Sequence, residues 1–286
     1  MPEDQYTRQD PRTQYPRPGD RDAREPDHGE RTYRGSGRLP DTAAVITGGD
    51  SGIGRAVAIA FAREGADVLL SYLDDEQDDA ERTAELVREA GRRAVLVPGD
   101  LRTEEMCREV AERAREEFGR IDVLVNNAGH QLMRSGGLLS VGGDEIDAVF
   151  RINVYAMFWL CKAAVPFMRP GSAIITTSSI QAFAPLPVLM DYAAAKAAVV
   201  NFTKNLSADL IGRGIRVNSV APGPVWTPLT HATMPPENIG GFGARTPLGR
   251  AAQPAELAPA FVFLASQESG YVTGEVLGVT GGDPIT

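Results

Sequence analysis

The chain has 286 residues, enough for one large α/β domain or two small ones. Hydrophobic residues make up 43% and charged residues 23%, so most of the chain can build a core, while a net charge of −9 denies it the basic face that nucleic-acid binding requires. Cys107 and Cys161 fit neither a disulfide framework nor a zinc spacing, which suits a reducing cytoplasm, and three histidines (His28, His130, His231) leave little room for a metal site.

Residues 1–40 carry eight Arg, eight Asp or Glu and six Pro, with Leu39 the only Leu and no Val, Ile or Phe. Such a stretch cannot bury enough apolar area to offset chain entropy. It reads as a polar arm, largely disordered or packed on a neighbouring subunit, with Tyr33, Gly35, Gly37 and Leu39 expected to be ordered. No apolar run reaches the ~18 residues of a bilayer span, since Val154 to Met168 is interrupted by Lys162, and no secretion signal opens the chain. A membrane partner is therefore not expected.

From Thr42 onward, short apolar runs alternate with longer amphipathic ones. Strands are expected at 43–46, 68–72, 94–98, 121–125, 173–177, 216–220 and 276–279, and helices at 55–64, 78–90, 104–118, 144–168, 192–211 and 254–264. Gly65, Gly91, Gly119 and Gly212 follow helical stretches as stop signals, and Thr103 is placed to cap the third helix. Alternating βα units with buried apolar strands imply one doubly wound α/β domain over 41–286, a seven-stranded parallel sheet with helices on both faces.

The first strand runs through Thr47-Gly48-Gly49-Asp50-Ser51-Gly52-Ile53-Gly54 straight into a helix. Glycines there let backbone N–H groups approach a pyrophosphate, and the helix N-terminus adds favourable partial charge; a plain glycine-rich turn is the alternative. Asn153 stands in an apolar helical run, where its amide must be hydrogen-bonded, either in a functional network or to its own backbone, bending the helix. Ser178 and Ser179 close the fifth strand outside any G-x-S-x-G elbow, which argues against a hydrolase nucleophile. Tyr192 and Lys196 are spaced i, i+4 and share a helix face. Lys196 is one of only three lysines among 29 basic residues, which suggests a task that arginine would do badly. A compact ammonium can bind ribose hydroxyls and stabilise a neighbouring phenolate. Lowering a tyrosine from ~10 by ~3 units takes about 4 kcal/mol.

These motifs together resemble the short-chain dehydrogenase/reductase family with the T-G-x-x-x-G-x-G start and Y-x-x-x-K pair, over about residues 42–282. The Tyr33–Leu39 stretch and the G-G-D-S-G-I-G-R wording are similar to a bacterial glucose/ribitol-dehydrogenase-like subgroup with N-terminal extensions. The resemblance implies a Rossmann-type domain holding NADP(H) or NAD(H). Gly48, Ser51, Gly52, Ile53 and Gly54 would then take the pyrophosphate, and Tyr72 would flank the ribose. Asp100 and Leu101 would meet the adenine, Asn127, Ala128 and Gly129 would border the adenosine side, and Pro222, Gly223, Val225 and Thr227 would hold the carboxamide. Ser179 and Tyr192 would bind the carbonyl oxygen, with Tyr192 as general acid/base, Lys196 on the nicotinamide ribose and Asn153 holding a water linked to Lys196. The implied activity is hydride transfer between nicotinamide and an aldehyde, ketone or sugar/polyol, in a homotetramer. A non-catalytic dinucleotide sensor on the same fold is the alternative; it would have no need of this proton relay.

Neither an NAD-selecting acid nor an NADP-selecting base stands at Tyr72 or Leu73. Ser51, Arg55 and Ser71 could tolerate a 2′-phosphate, whereas Asp74, Asp75 and Glu76 would repel it if they turned inward; the reading leans to NADP(H). The substrate side is expected from 181–190, with Phe183, Pro185, Leu186 and Pro187, and from 226–250, with Trp226, His231, Met234 and Phe242. The second segment lies within a substrate loop at about 223–250 that would act as a lid. His130 and Gln131 would border the pocket.

Overall fold

The computed structural model describes residues 26–233 and 241–285. Seven strands, β1 (Ala43–Thr47), β2 (Asp67–Tyr72), β3 (Ala94–Pro98), β4 (Ile121–Asn126), β5 (Met168–Thr177), β6 (Arg216–Pro222) and β7 (Val276–Val279), form one sheet in the order β3-β2-β1-β4-β5-β6-β7. Every pairing is parallel. Alternate residues of β1 serve opposite faces: Ala44 and Ile46 join one apolar layer, Ala43 and Val45 the other. Both layers are thick, so β1 is buried along its whole length and reads as a continuous apolar run.

Helices α1 (Gly52–Glu64), α2 (Gln77–Glu89) and α8 (Pro254–Ala265) contribute to the first layer, and α3 (Glu104–Phe118), α5 (Ala156–Ala164) and α6 (Met190–Leu210) to the second. Two shorter helices, α4 (Gly143–Phe150) and α7 (Pro228–Thr233), lie towards the site. Thr103 caps α3 as expected, its hydroxyl accepting from the Met106 N–H at 3.3 Å.

Three expectations are corrected. The single helix expected at 144–168 is three pieces: α4, a wide π turn at Arg151–Tyr155, and α5. The stretch Gly143–Phe167 is nonetheless long and apolar enough to cross a membrane, contrary to the sequence reading; in this fold Leu160, Cys161 and Ala164 pack in the same layer as α3. The left-handed stop after α6 falls at Gly214 rather than Gly212, because a 3-10 turn at Ile211–Arg213 prolongs the helix.

The polar segment before β1 lies on its own chain from Asp27 to Arg38. Its anchor is Glu64 at the end of α1, a carboxylate with no solvent exposure. It accepts from the Tyr33 hydroxyl (2.5 Å), the Ser36 and Arg38 N–H groups (2.8 and 3.0 Å) and the Arg38 guanidinium (2.6 and 3.0 Å). Burial alone would raise this carboxyl, but the bonds from Arg38, Tyr33 and Ser36 override it and hold it at about 2. Arg63 reciprocates, donating to the carbonyls of Gly29, Glu30 and Tyr33. Residues 1–25 of the expected arm lie outside the described residues.

Candidate active site

β1 and β4 are neighbours whose connections leave in opposite directions, and the carboxyl ends of parallel strands at such a divide open a crevice. Here it is a cleft of about 1470 Å³. The loop after β1 floors one end. Its Gly48 and Gly49 N–H groups donate to the Ser71 carbonyl of β2 at 2.8 and 3.3 Å. Asn127, at the end of β4, donates to the Thr47 and Gly48 carbonyls at 3.0 and 3.2 Å, so its side chain braces the loop from behind. Gly54 does not reach the cleft: a Cβ there would sit 1.8 Å from the Gly48 carbonyl oxygen, and the glycine allows the helix to close on the loop. Gly48, Ser51, Gly52 and Ile53 do line it, and Ser51 makes no side-chain cap to α1. Uncapped first-turn N–H groups facing a cleft, with a glycine cradle that a Cβ would fill, fit a pyrophosphate.

The adjoining wall contains Ser71, Tyr72, Leu73, Asp100, Leu101 and Arg102. The Asp100 carboxylate is held low by hydrogen bonds from Arg102, which closes on it at 2.5 Å. Arg55 is committed elsewhere, to Asp79 at 2.6 Å, Thr83 at 2.9 Å and the Asp50 carbonyl at 2.8 Å, so it does not serve a 2′-phosphate as expected. Of the three acids after β2, Asp74 and Asp75 are exposed and only Glu76 borders the cleft, joined by Asp50. Burial raises both carboxyls, and the charge of Asp50 raises Glu76 further.

The other end holds the titratable groups. Ser179 ends the segment after β5; its hydroxyl accepts from the Gln181 N–H at 3.2 Å and stands near enough to Tyr192 to favour the phenolate. Both line the cleft while being 7% and 9% exposed. One turn on, the buried Lys196 ammonium donates to the Thr177 carbonyl at 2.9 Å and lies 5.4 Å from the centroid of the Tyr192 ring. Burial pushes Tyr192 up to about 12, partly opposed by Ser179, and pushes Lys196 down to about 8. Burial is thus the larger influence on both groups.

Asn153 sits in the π turn. Its amide donates to the His130 carbonyl at 2.8 Å and to the Val149 carbonyl, four residues back, at 2.9 Å, so it does bond the backbone of its own helix where that helix departs from α geometry. Its Oδ1 is buried without a hydrogen-bond partner, and Gly129 is the spacer beside it: a Cβ at 129 would meet Asn153 Oδ1 at 2.8 Å and Lys196 Nζ at 3.4 Å. A cavity of about 10 Å³, lined among others by Asn153, Thr177 and Lys196, is the size of one water.

Ala128, Gly129, Pro222, Gly223, Val225 and Thr227 line the middle of the cleft. Phe183, Leu186 and Phe242 border its outer end, with His130, Gln131, Met133 and Asp283. Trp226 does not: it is a core residue at 1% exposure, packed edge-on to Phe242 at 5.0 Å. Met234 and the His231 side chain lie outside the described residues. Sequence reasoning missed the bond between Gln131 Nε2 and Thr233 Oγ1 (3.0 Å), which joins the loop after β4 to α7, because its partners are 102 positions apart.

Comparison with known proteins agrees with this geometry. A family model described as enoyl-(acyl carrier protein) reductase matches residues 48–283. The chain is 50% identical to the uncharacterized oxidoreductase YhxD of Bacillus subtilis, over 91% of this chain and 88% of that protein. It is 43% identical to the glucose and ribitol dehydrogenase of Daucus carota, over 90% of each. A short-chain dehydrogenase of Burkholderia cenocepacia, solved in complex with NADP, superposes with a TM-score of 0.80 at 32% identity, covering 86% of this chain and 98% of that one. A blue fluorescent protein from a metagenomic library, solved with NADPH, gives 0.79 at 34% identity, covering 86% and 98%.

Proposed function

The chain belongs to the short-chain dehydrogenase/reductase family and is an NAD(P)-dependent oxidoreductase, and from that premise we propose that Tyr192 is its proton-transfer group, acting on a carbonyl or alcohol at the outer end of the cleft. The observation that carries this reading is the hydroxyl pair of Ser179 and Tyr192 facing the cleft with the Lys196 ammonium buried behind the phenol. The bound dinucleotide supplies or accepts the hydride.

The residues of this chain do the rest. The first-turn N–H groups of α1 and the glycine loop would hold the pyrophosphate, and Lys196 would donate to ribose hydroxyls. Ser179 and Tyr192 hydrogen-bond the carbonyl oxygen and so orient the carbonyl carbon. Tyr192, a neutral phenol at pH 7, gives its proton to the oxygen as negative charge develops there. Asn153 Oδ1 accepts from a water in the small cavity, which passes a proton towards Lys196 and the phenol. In the oxidative direction the same phenol, ionised, takes the alcohol proton.

For the substrate we assign a small aldehyde, ketone or polyol; the mixture of apolar and amide side chains (Phe183, Phe242, Gln131) supports it, as does the name of the carrot relative. NADP(H) is the first cofactor to assay, because the two solved relatives described above hold it. The exposed aromatic face of Tyr155 and Phe158, beside Phe202 on α6, supports a homotetramer by resemblance. Buried, unpaired Cys107 and Cys161 support a reducing cytoplasmic setting.

Replacing Tyr192 with Phe tests the reading. Turnover is expected to fall by about 10² to 10⁴ while NADPH binding, followed by fluorescence titration, is retained. Wild-type turnover in that variant would remove Tyr192 as the acid.

A further inference from the structure

The residue before the phenol is a carboxylate that no step above uses. Asp191 is buried, its side chain 3% exposed, at the start of α6. One oxygen accepts from the N–H of Tyr192 itself at 2.9 Å. The other accepts from Nη1 of Arg134 at 2.9 Å. Arg134 lies in the loop after β4, and its side chain is 10% exposed. Its backbone N–H donates to the Val188 carbonyl at 3.0 Å, and its Nε lies 3.3 Å from Glu145 of α4. The guanidinium thus stands where three segments meet: the loop that supplies Gln131 and Met133 to the cleft, α4, and the turn that launches the Tyr192 helix.

A buried carboxylate with its neutralising partner removed is a strong perturbation, whereas removing both charges together leaves a site that can repack. The carboxylate is one residue from the reacting phenol and bonded to its backbone. A displacement there shifts the first turn of α6 and with it the position of that hydroxyl. Displacements of the order of 1 Å at a reacting group cost about 10²-fold in rate.

We propose that Arg134 is a positioning residue for Tyr192, holding the first turn of α6 in register with the cleft through the buried carboxylate of Asp191. This rests on Tyr192 being the proton-transfer group. Arg134 is not among the residues that line the cleft; it works through Asp191.

The experiment compares R134L, D191N and the double variant R134L/D191N in the full chain, with Y192F measured alongside. Each is read as kcat, KM, NADPH dissociation constant and thermal midpoint. R134L is expected to lose about 10- to 100-fold in kcat with little change in NADPH binding, because it strands the buried Asp191 charge and loosens the first turn of α6. In the double variant, the amide that replaces the carboxylate still accepts the Tyr192 N–H but carries no charge, and kcat is expected to return to within a few-fold of wild type. A kcat loss and recovery larger than the accompanying change in thermal midpoint is what a purely structural contact would not give. The inference is overturned if R134L keeps its kcat, or if its loss tracks the thermal midpoint and is not recovered in the double variant. If instead Y192F turns over normally, the reading of Tyr192 itself has failed; an inactive Y192F with an unaffected R134L removes only the role of Arg134.

Discussion

The Lys196 ammonium lies 5.4 Å from the centroid of the Tyr192 ring and donates to the Thr177 carbonyl at 2.9 Å. Two opposite shifts accompany this: the phenol moves up to about 12 and the ammonium down to about 8, each mainly by burial. At neutral pH both are protonated, the state that carbonyl reduction needs.

The rate of reduction should therefore be level near neutrality and fall as pH rises through about 8, where Lys196 gives up its charge. A profile of kcat/KM against pH checks it, and one that stays level to about pH 10 counts against Lys196 as the controlling group. Stability carries a matching signature. Between about 8 and the ordinary 10.5 the unfolded chain binds the lysine proton more tightly than the folded one, so this residue makes stability rise with pH across that window. Tyr192 works the other way: its contribution is full below 10 and is lost as pH climbs to about 12. Urea midpoints of wild type and K196M should diverge in slope accordingly.

Gly129 separates Asn153 from Lys196, and the space it leaves is smaller than a methyl group. G129A should push the Asn153 amide and the ammonium apart and lower kcat by about 10- to 100-fold, with circular dichroism unchanged. A variant with full activity would show that the spacing of these two groups does not matter.

The Glu64 hub should contribute measurably to stability. E64Q keeps the volume but strands the Arg38 side of the cluster; because Arg38 is partly exposed, the loss is expected at about 2 to 3 kcal/mol, not the full cost of breaking a sealed pair. The same carboxyl, held at about 2, contributes stability above its ordinary 4.5 that disappears as pH falls towards 2. Acid unfolding of wild type and E64Q should converge over that interval; parallel curves would mean the cluster is not stabilising.

The sheet was legible because each strand of a two-sided parallel sheet must be an apolar run, and the glycine loop, Tyr192 and Lys196 were legible because local spacing alone puts them in place. What escaped is what depends on partners far along the chain. The break at Arg151–Tyr155 depends on Asn153 reaching the His130 carbonyl, 23 positions away. Asp191 reads locally as an acid complementing a helix N-terminus, which hides its tie to Arg134. The polar segment before β1 has too little apolar content to signal order, and what holds it is a charge on another element; Glu64, an acid in an otherwise apolar stretch of α1, was the available clue.

The divide between β1 and β4 has a practical corollary. Loops after β1, β2 and β3 line the end proposed for the adenosine half of the nucleotide, and segments after β4, β5 and β6 line the end proposed for its nicotinamide and the compound being converted. Redesigners can thus breed coenzyme preference and product range as separate traits, provided the seam itself is left alone.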